Sequence, residues 1–483
     1  MSSSSLPVAV IGAGPVGLAA AAHLLERGLT PVVLEAGPAA GAGIRTWAHV
    51  RMFSPWKYNV DPAAARLLAT EDWTAPDPEH YPTGQEILDD FLLPLAAVSR
   101  LAPHLRFNAR VVGVSRLRHD KMKDARREAA PFLVRYLEDG AERQFLAAAV
   151  IDASGTLDRP NPAGASGLPA LGETALRGRN LVYGMPDLLG AERLRYAGKR
   201  LLVVGSGHSA FNVLLAAVQL REQEAGTEVH WAVRRPTLQR VFGGGENDQL
   251  AERGRLGMEI AKLVDRAAIT VHPDFHIEGF AEDHGAVVAY DGERRLPGVD
   301  RVVVATGFRP DLSILSELRL ALDAGTESPT VLAPLIDPNL HSCGTVRPHG
   351  ALELRHPEAN LYVVGMKSYG RAPTFLLLTG YEQVRSVAAA LAGDWEAARR
   401  VELKLPETGV CSVQLGGGQP RQNAAAGCCG GPAPAGVTAC CVADAEAKEA
   451  GTEGCGCGPA AAPVLANAAP VAIGRSSGCC GGA

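Results

Sequence analysis

Residues 8–17, VAVIGAGPVG, form an apolar run that breaks into the pattern Gly-x-Gly-x-x-Gly. Each glycine has a different role. Gly12 lets the chain turn at the end of the strand, Gly14 lets a pyrophosphate approach the backbone, and Gly17 lets the following helix pack on the strand. Phosphates bound there would lie at the N-terminus of that helix, where free N–H groups and the helix dipole favour anions. The stretch therefore predicts a dinucleotide-binding turn.

A helix, a second strand and an acidic residue complete this first unit. Residues 18–27 are helix-forming, residues 31–34 are apolar, and Glu35 follows the first glycine by about 20 residues, where a carboxylate can bind ribose hydroxyls. The glycine pattern alone is weak evidence, because an ordinary glycine-rich turn also produces it. The ordered set of strand, glycines, helix, strand and acid favours a dinucleotide site.

Length, charge and hydropathy limit the class of protein. The 483 residues suffice for about three domains, and a net charge of −5 provides no basic surface for nucleic acid or an anionic membrane. Residues 1–5 lack the cationic segment of a secretory signal. Residues 8–25 are apolar, but their glycines and proline fit a strand–helix turn better than a membrane span. We therefore expect a cytoplasmic protein.

A second glycine pattern lies in the middle of the chain. Residues 201–204 are a buried-strand run, GSGHSA occupies residues 205–210, and a helix follows. The next strand, residues 228–233, ends in Arg234 and Arg235, where the first unit has an acid. A carboxylate there would repel a 2′-phosphate, whereas guanidinium groups bind it in bidentate fashion. The second unit therefore predicts a site that prefers NADPH to NADH.

Three side chains near these motifs have two interpretations each. Trp47 and Trp56 lie in a segment rich in aromatic residues and proline, where either ring could cover a flavin or pack in a core. We include Trp47 among the candidate cofactor contacts. His208 lies in the second glycine turn and could act as a base, although simple loop polarity is the favoured explanation.

Further apolar runs predict the remaining strands and helices. Three strand-like runs suggest an antiparallel meander, and a second meander follows later in the chain. A strand that ends in Ala-Thr-Gly suits a backbone crossing between two domains beside a cofactor. The predicted elements are a helix at 85–99, strands at 111–117, 132–137 and 145–152, a meander at 276–290, a strand from 301 to the crossing, a strand at 361–365 and a helix at 374–391.

Two dinucleotide units with an Ala-Thr-Gly crossing resemble the two-domain FAD/NADPH flavoproteins, which include flavin-containing monooxygenases and thioredoxin-reductase-like enzymes. The resemblance covers residues 7–394. It implies an α/β fold of two Rossmann-like dinucleotide-binding domains, with the NADPH domain inserted in the FAD domain, plus a disordered cysteine-rich C-terminal tail. The implied boundaries are 1–175 and 311–405 for the FAD domain, 176–310 for the NADPH domain and 406–483 for the tail.

The resemblance also implies which residues contact the cofactors. Thr306 and Gly307 would lie where the domains cross, and Met366 stands at a position where many relatives have Asp. The implied contacts are Gly12, Gly14, Gly17, Glu35 and Gly365 for FAD, and Gly205, Gly207, Arg234 and Arg235 for NADPH.

The chain departs from several subfamily patterns. Thioredoxin reductases need Cys-x-x-Cys in the NADPH domain and glutathione-reductase relatives need a cysteine pair after the first helix, and the chain has neither. The monooxygenase pattern Phe-x-Gly-x-x-x-His is partly kept, with Leu188 in place of the histidine, and Ser54 and Pro55 occupy a loop where monooxygenases place an asparagine. Residues 47–56 and 369–375 resemble a bacterial branch of monooxygenases found among arsenic-resistance proteins.

Cysteine is concentrated at the C-terminus. Of ten cysteines, only Cys343 precedes Cys411, and from about residue 408 the chain is mostly Gly, Ala, Pro and Cys. Such a composition buries too little apolar surface to offset the entropy of ordering, so we expect disorder. Vicinal thiolates can bind one thiophilic atom, and a drifted low-complexity tail is the alternative. The candidate soft metal(loid) ligands are Cys428, Cys429, Cys440, Cys441, Cys455, Cys457, Cys479 and Cys480.

These observations lead to one preferred function and two alternatives. The preferred function is an NADPH-dependent FAD oxidoreductase, a monooxygenase that uses O₂ on a small substrate and is linked to detoxification of arsenic or another thiophilic metal(loid). A reductase that passes electrons to the tail thiols or to a metal bound there is the first alternative. A redox-sensing protein that binds soft metals is the second. Hydride transfer between two positioned rings needs no side-chain base, so no catalytic residue is assigned.

Overall fold

The computed structural model describes residues 6–239, 241–243, 250–340, 348–373 and 375–403. These residues belong to one compact unit of the chain. The tail that is predicted to be disordered lies outside the described residues. In the described ranges, no helix combines the length and the apolar character that crossing a membrane requires.

Strands and helices alternate around the two glycine turns, and runs of consecutive strands or of short helices lie between these regions. A π-helical segment, Leu88–Leu92, separates two short helices of the first half. The strands are β1 (Val8–Ile11), β2 (Pro31–Leu34), β3 (Leu105–Arg106), β4 (Ala109–Arg116), β5 (Phe132–Glu138), β6 (Ala141–Ala147), β7 (Ala149–Asp152), β8 (Leu181–Tyr183), β9 (Arg200–Val204), β10 (Glu228–Ala232), β11 (Thr270–His272), β12 (Gly279–Asp283), β13 (Ala286–Asp291), β14 (Arg294–Arg295), β15 (Arg301–Val304) and β16 (Leu361–Val363). The α-helices are α1 (Pro15–Glu26), α2 (Ala42–Arg45), α3 (Pro62–Leu68), α4 (Gly84–Ile87), α5 (Leu93–Ala97), α6 (Glu173–Leu176), α7 (Arg193–Tyr196), α8 (His208–Gln223), α9 (Ala251–Asp265), α10 (Ala333–Ile336), α11 (Leu377–Leu391) and α12 (Trp395–Arg399).

The first sheet is parallel and has the strand order β16-β7-β1-β2-β3. Both of its faces are covered, and consecutive residues of β1 therefore enter different cores. Val8 and Val10 pack with the core that contains α1 and α11, whereas Ala9 and Ile11 pack with the antiparallel sheet β4-β5-β6. Burial on both faces explains why this strand has a continuous apolar sequence without alternation.

The second sheet is also parallel, with the order β11-β10-β9-β15-β8. All five strands lie in the sequence between β7 and β16, so the second sheet is inserted in the chain of the first. One face packs against α8 and α9, and the other packs near β12 and β13. The predicted fold class, two Rossmann-like units with one inserted in the other, is confirmed for the described residues.

The prediction of one strand at residues 145–152 is wrong, because this stretch contains parts of two strands. β6 pairs with β5 as far as Ala147. From Ala149 the chain pairs instead with Val8 of β1, in the parallel sheet. Ala148 makes the change of partner, and its N–H donates to the carbonyl of Pro7 at 2.9 Å. Apolar character alone could not locate the break, because both strands are apolar here.

Candidate dinucleotide-binding sites

The first glycine turn joins β1 to α1. Gly12 has φ +98°, and a Cβ there would lie 2.8 Å from the carbonyl oxygen of Ala153. A Cβ on Gly17 would lie 1.9 Å from the carbonyl oxygen of Gly12. By contrast, a Cβ on Gly14 would meet nothing within 4 Å. Gly12 and Gly17 are therefore required by the fold itself, while Gly14 leaves space open beside the turn.

The N-terminus of α1 faces this open space. Gly14 is its N-cap residue, and no side chain caps the helix there. The first N–H groups of a helix lack intrahelical acceptors and carry the positive end of the helix dipole. An open glycine at an uncapped helix N-terminus fits a pyrophosphate group, as the sequence predicts.

Glu35 follows β2 and reaches the same turn. Its carboxylate accepts a hydrogen bond from the N–H of Ala13 at 2.8 Å and another from the N–H of Gly37 at 2.8 Å. A carboxylate has about four acceptor positions, so these two bonds leave capacity for ribose hydroxyls. The structure thus gives Glu35 a second task, which is to hold the glycine turn in place.

Gly365 approaches the turn from the end of β16. Its φ is +69°, and a Cβ there would lie 3.4 Å from Val16 of α1. Its N–H donates to the Oε1 of Gln383 at 2.7 Å, which fixes the segment on α11. The structure therefore brings Gly365 beside the first glycine turn, although more than 300 residues separate them.

The two tryptophans have different environments. Trp56 is 2% exposed and belongs to the core with α1 and α11, so core packing is the correct interpretation for this residue. Trp47 is half-buried, and its ring carbons lie 2.9 Å from the position that a Cβ on Gly84 would take. The small residue at the start of α4 therefore makes room for the Trp47 ring. A flavin contact by Trp47 stays a prediction.

The second glycine turn joins β9 to α8 and repeats the geometry of the first. Gly205 has φ +129°, and a Cβ there would lie 2.3 Å from the carbonyl oxygen of Ala305. Trp231 donates its indole N–H to the Gly205 carbonyl at 2.7 Å. Gly207, the N-cap residue of α8, has nothing within 4 Å of its Cβ position. This turn also combines one glycine that the fold requires with one that leaves open space.

Arg234 and Arg235 lie just beyond the end of β10, and both are exposed. The Nη1 of Arg234 donates to the carbonyl of Ala165 at 3.1 Å. The carbonyl of Arg235 accepts from the N–H of Asp274 at 3.1 Å. Each guanidinium carries five donors, so most of them remain for a ligand. Both residues are placed after the second strand of the unit, where the sequence predicts recognition of a 2′-phosphate.

Two strand-like segments cross between the sheets side by side. The N–H of Asn161 donates to the carbonyl of Gly307 at 2.9 Å, and the Oγ1 of Thr306 donates to the carbonyl of Asn161 at 2.6 Å. Pro160 and Phe308 form an antiparallel bridge in the same place. The structure thus places Thr306 and Gly307 in the crossing segment. It adds Asn161 as a partner that no sequence motif indicates.

His208 joins the second glycine turn to a segment from the first half of the chain. Its ring centroid lies 5.2 Å from that of Phe53, which belongs to the aromatic segment after α2. A second contact, at 6.2 Å and edge-on, joins His208 to Phe211 of α8. The aromatic segment of the first half therefore lies against the second glycine turn, and an aromatic environment adds to loop polarity as an explanation for His208.

Residues 6–330 match the pyridine nucleotide-disulphide oxidoreductase family, and the chain belongs to that family. Its cofactors are accordingly FAD and a pyridine nucleotide, and the protein is a flavin-dependent oxidoreductase. This confirms the predicted superfamily and both predicted cofactor classes. The narrower resemblance to proteins of arsenic-resistance clusters stays a prediction.

Solved structures with a similar fold have different activities. Bacillithiol disulfide reductase from Bacillus cereus is 20% identical with a TM-score of 0.58, and the match covers 80% of this chain and 99% of that chain. DfoA, a cadaverine monooxygenase from Erwinia amylovora solved with FAD, is 15% identical with a TM-score of 0.56, covering 86% of this chain and 99% of that one. At these identities the likeness establishes the fold and leaves the activity open.

A curated relative is also a monooxygenase. The chain is 29% identical over 208 residues to indole-3-pyruvate monooxygenase YUCCA1 of Oryza sativa subsp. japonica. The match covers 43% of this chain and 43% of that protein, so it spans less than half the length of the relative.

The predicted soft-metal ligands lie outside the described residues. All eight candidates, from Cys428 to Cys480, belong to this part of the chain, and so do Cys343 and Cys411, which are not among the candidates. In the ranges that the structure describes, no group of three or more His, Cys, Asp or Glu side chains could hold a metal ion. A metal(loid) site in the tail therefore stays a prediction.

Proposed function

We propose that the protein is an NADPH-dependent FAD monooxygenase that acts on a small substrate. The observation that carries the proposal is the absence of cysteine from residues 1–342, which include the whole family match at residues 6–330. Thiol–disulfide exchange requires a thiolate, so the matched part of the chain has no group that could exchange electrons with a disulfide. Electrons that reach its flavin therefore need an acceptor outside the matched part, and O₂ is the acceptor in a monooxygenase.

The residues of the two glycine turns have clear tasks in this proposal. The open side of Gly14 and the N-terminus of α1 would hold the FAD pyrophosphate, and Glu35 would accept hydrogen bonds from the ribose. Gly207 would do the same for NADPH, with Arg234 and Arg235 on its 2′-phosphate. When bound, FAD supplies the two-electron chemistry that links NADPH to the second substrate. The protein contributes mainly by holding two rings in a reactive arrangement.

The overall reaction fixes the products that an assay must find. NADPH, a proton, O₂ and the substrate yield NADP⁺, water and a substrate that carries one added oxygen atom. The resemblance of residues 47–56 and 369–375 to proteins of arsenic-resistance clusters supports a soft, electron-rich substrate such as a trivalent arsenical. Indole-3-pyruvate and cadaverine are further candidates, because the similar proteins act on them.

The test measures NADPH oxidation, O₂ uptake, peroxide and oxygenated product together. We expect a true substrate to raise NADPH oxidation, to lower the peroxide formed per NADPH and to yield one oxygenated product per NADPH. Peroxide as the sole product with every candidate substrate would refute the monooxygenase proposal. A preference for NADH would refute the assignment of Arg234 and Arg235 and leave the reaction type standing.

The clustered cysteines favour one alternative function. Eight cysteines lie in residues 428–480, six of them in adjacent pairs. Reduced flavin could pass two electrons to a disulfide formed by these cysteines, which would yield two thiols, or to a metal bound there. A chain that ends at residue 407 separates the two functions. Turnover with a small substrate should persist in the shortened chain if the monooxygenase proposal is correct. Loss of turnover with normal FAD content would favour electron transfer to the tail.

Tight arsenite binding without any NADPH oxidation would favour a sensor.

A further inference from the structure

A lysine and an aspartate are buried together behind the first glycine turn. Lys367 is 3% exposed and Asp152 is fully buried. The Nζ of Lys367 lies 2.7 Å from the Oδ2 of Asp152 and donates to the Oγ of Ser154 at 2.9 Å. The other oxygen of Asp152 accepts from the N–H and the Oγ of Ser154, at 3.1 and 2.7 Å. Family motifs in the sequence did not point to any of these residues.

The position of this cluster connects it to the flavin site. Asp152 is the last residue of β7 and is the register partner of Ile11, directly before Gly12. A Cβ on Gly12 would lie 3.0 Å from the Cα of Ser154. Lys367 follows Gly365, which packs on the first turn of α1, by two residues. Ser154 of the cluster therefore lies against the glycine turn, and the segment that carries Lys367 packs on the first turn of α1.

Stability alone is a weak reason for such a pair. Removing two charges from water costs free energy that their attraction often fails to recover, so a well-packed apolar pair is frequently as stable. The ammonium group also has three donors, and the described residues supply two acceptors for it. Leaving a buried donor without an acceptor costs further free energy. A ligand oxygen at the glycine turn would supply the third acceptor.

The neighbouring residue offers no substitute for this donor. Met366 is 40% exposed, and its thioether is only a weak acceptor. Of these two side chains, only that of Lys367 offers a strong donor.

We propose that Lys367, held by Asp152 and Ser154, is a positioning residue of the flavin site that donates its third N–H to an oxygen of bound FAD. The inference rests on the proposed placement of FAD at the first glycine turn. It adds a specific contact that neither the glycine pattern nor the family match assigns. Asp152 has the supporting task of orienting the ammonium group.

The test compares two variants with one control. Lys367→Met removes the ammonium group at similar length, and Asp152→Asn combined with Lys367→Met removes both buried charges. Glu358→Gln is the control, because it breaks a different buried ion pair, the one with Arg116 on the antiparallel sheet. Apoprotein is prepared for each variant, the dissociation constant of FAD is measured by titration, and urea unfolding of the apoprotein is measured separately.

We expect the single and the double variant to raise the FAD dissociation constant about 10- to 100-fold, the effect of one hydrogen bond to a charged group. The double variant should regain most of the apoprotein stability that the single variant loses, while its FAD affinity stays low. The control should lose stability and keep its FAD affinity.

Three outcomes would overturn the inference. The double variant binds FAD as tightly as the unmodified protein, or Lys367→Met has no effect on FAD affinity, or both variants fail to fold, which would assign the pair to the fold alone. Failure of the unmodified protein to bind FAD would instead refute the proposed function, so the two failures are distinguishable.

Discussion

Replacing Gly14 by alanine tests whether this glycine serves the cofactor, while Gly12 and Gly17 serve the fold. The backbone of Gly14 is extended, with φ −77° and ψ −176°, so alanine can adopt it without strain. The added Cβ would meet nothing within 4 Å. The free energy of unfolding of the apoprotein should therefore change by less than about 1 kcal/mol. The same methyl group would occupy the space that a pyrophosphate needs.

The expected effect on the cofactor is much larger. Forcing one extra methyl group into a packed contact costs about 1–3 kcal/mol, and the lower and upper bounds correspond to a roughly 5- to 150-fold weaker affinity for FAD. Titration of the apoprotein with FAD measures this change directly. Urea unfolding of the same preparations measures the stability.

Gly17→Ala is the matched control, because its Cβ meets protein instead of open space. That Cβ would lie 1.9 Å from the Gly12 carbonyl oxygen, whereas real contacts stay above 3.0 Å, so α1 must shift by about 1.1 Å (3.0 − 1.9). This variant should lose about 1–3 kcal/mol of stability or more. Unchanged FAD affinity in Gly14→Ala would refute the placement of the pyrophosphate beside Gly14. A loss of apoprotein stability as large as that of Gly17→Ala would refute it as well.

Three further predictions follow from exposed and buried charges. Replacing Arg234 and Arg235 by Gln should raise KM for NADPH about 10- to 100-fold and leave KM for NADH nearly unchanged, and equal effects on both coenzymes would contradict a 2′-phosphate site. Glu358→Gln should cost about 3–5 kcal/mol in urea unfolding, because it leaves buried arginines unpaired. Burial lowers the pKa of His356 to about 4, so the unfolded chain takes up the proton first on acidification. The free energy of unfolding should fall by about 3 kcal/mol between pH 6.5 and 4, and His356→Leu should remove this slope if the assignment is correct.

Glu358 adds a second acid-sensitive contact. Burial raises the pKa of its carboxyl group, but hydrogen bonds from Arg127 and Arg116 outweigh burial and lower the pKa overall. A carboxyl group with a lowered pKa stabilises the folded state above its unfolded pKa, and this stabilisation is lost as the pH falls below about 4.5. The stabilisation from Glu358 is therefore lost at lower pH than the stabilisation from His356. Glu358→Gln should flatten only the acidic end of the curve of unfolding free energy against pH.

The sequence by itself determined the two strand–turn–helix units. The glycine pattern is local in sequence, and the contact that requires Gly17 is made with Gly12 of the same unit. The carbonyl oxygens that crowd Gly12 and Gly205 belong to Ala153 and Ala305, which the fold brings in from neighbouring strands. The apolar runs of β1 and β9 are equally direct, because parallel strands buried on both faces need apolar residues at every position. The family resemblance and the cofactor classes follow from these units and their order along the chain.

The tertiary structure alone decided which distant residues meet at these turns. The break between β6 and β7 depends on which strand each half pairs with, and apolar character does not carry that information. Lys367 looks like a surface residue in the sequence, because the partner that permits its burial, Asp152, precedes it by 215 residues. The contact of Phe53 with His208 has the same origin. Long-range pairs of this kind have no sequence period or spacing, because only the tertiary fold brings their elements together.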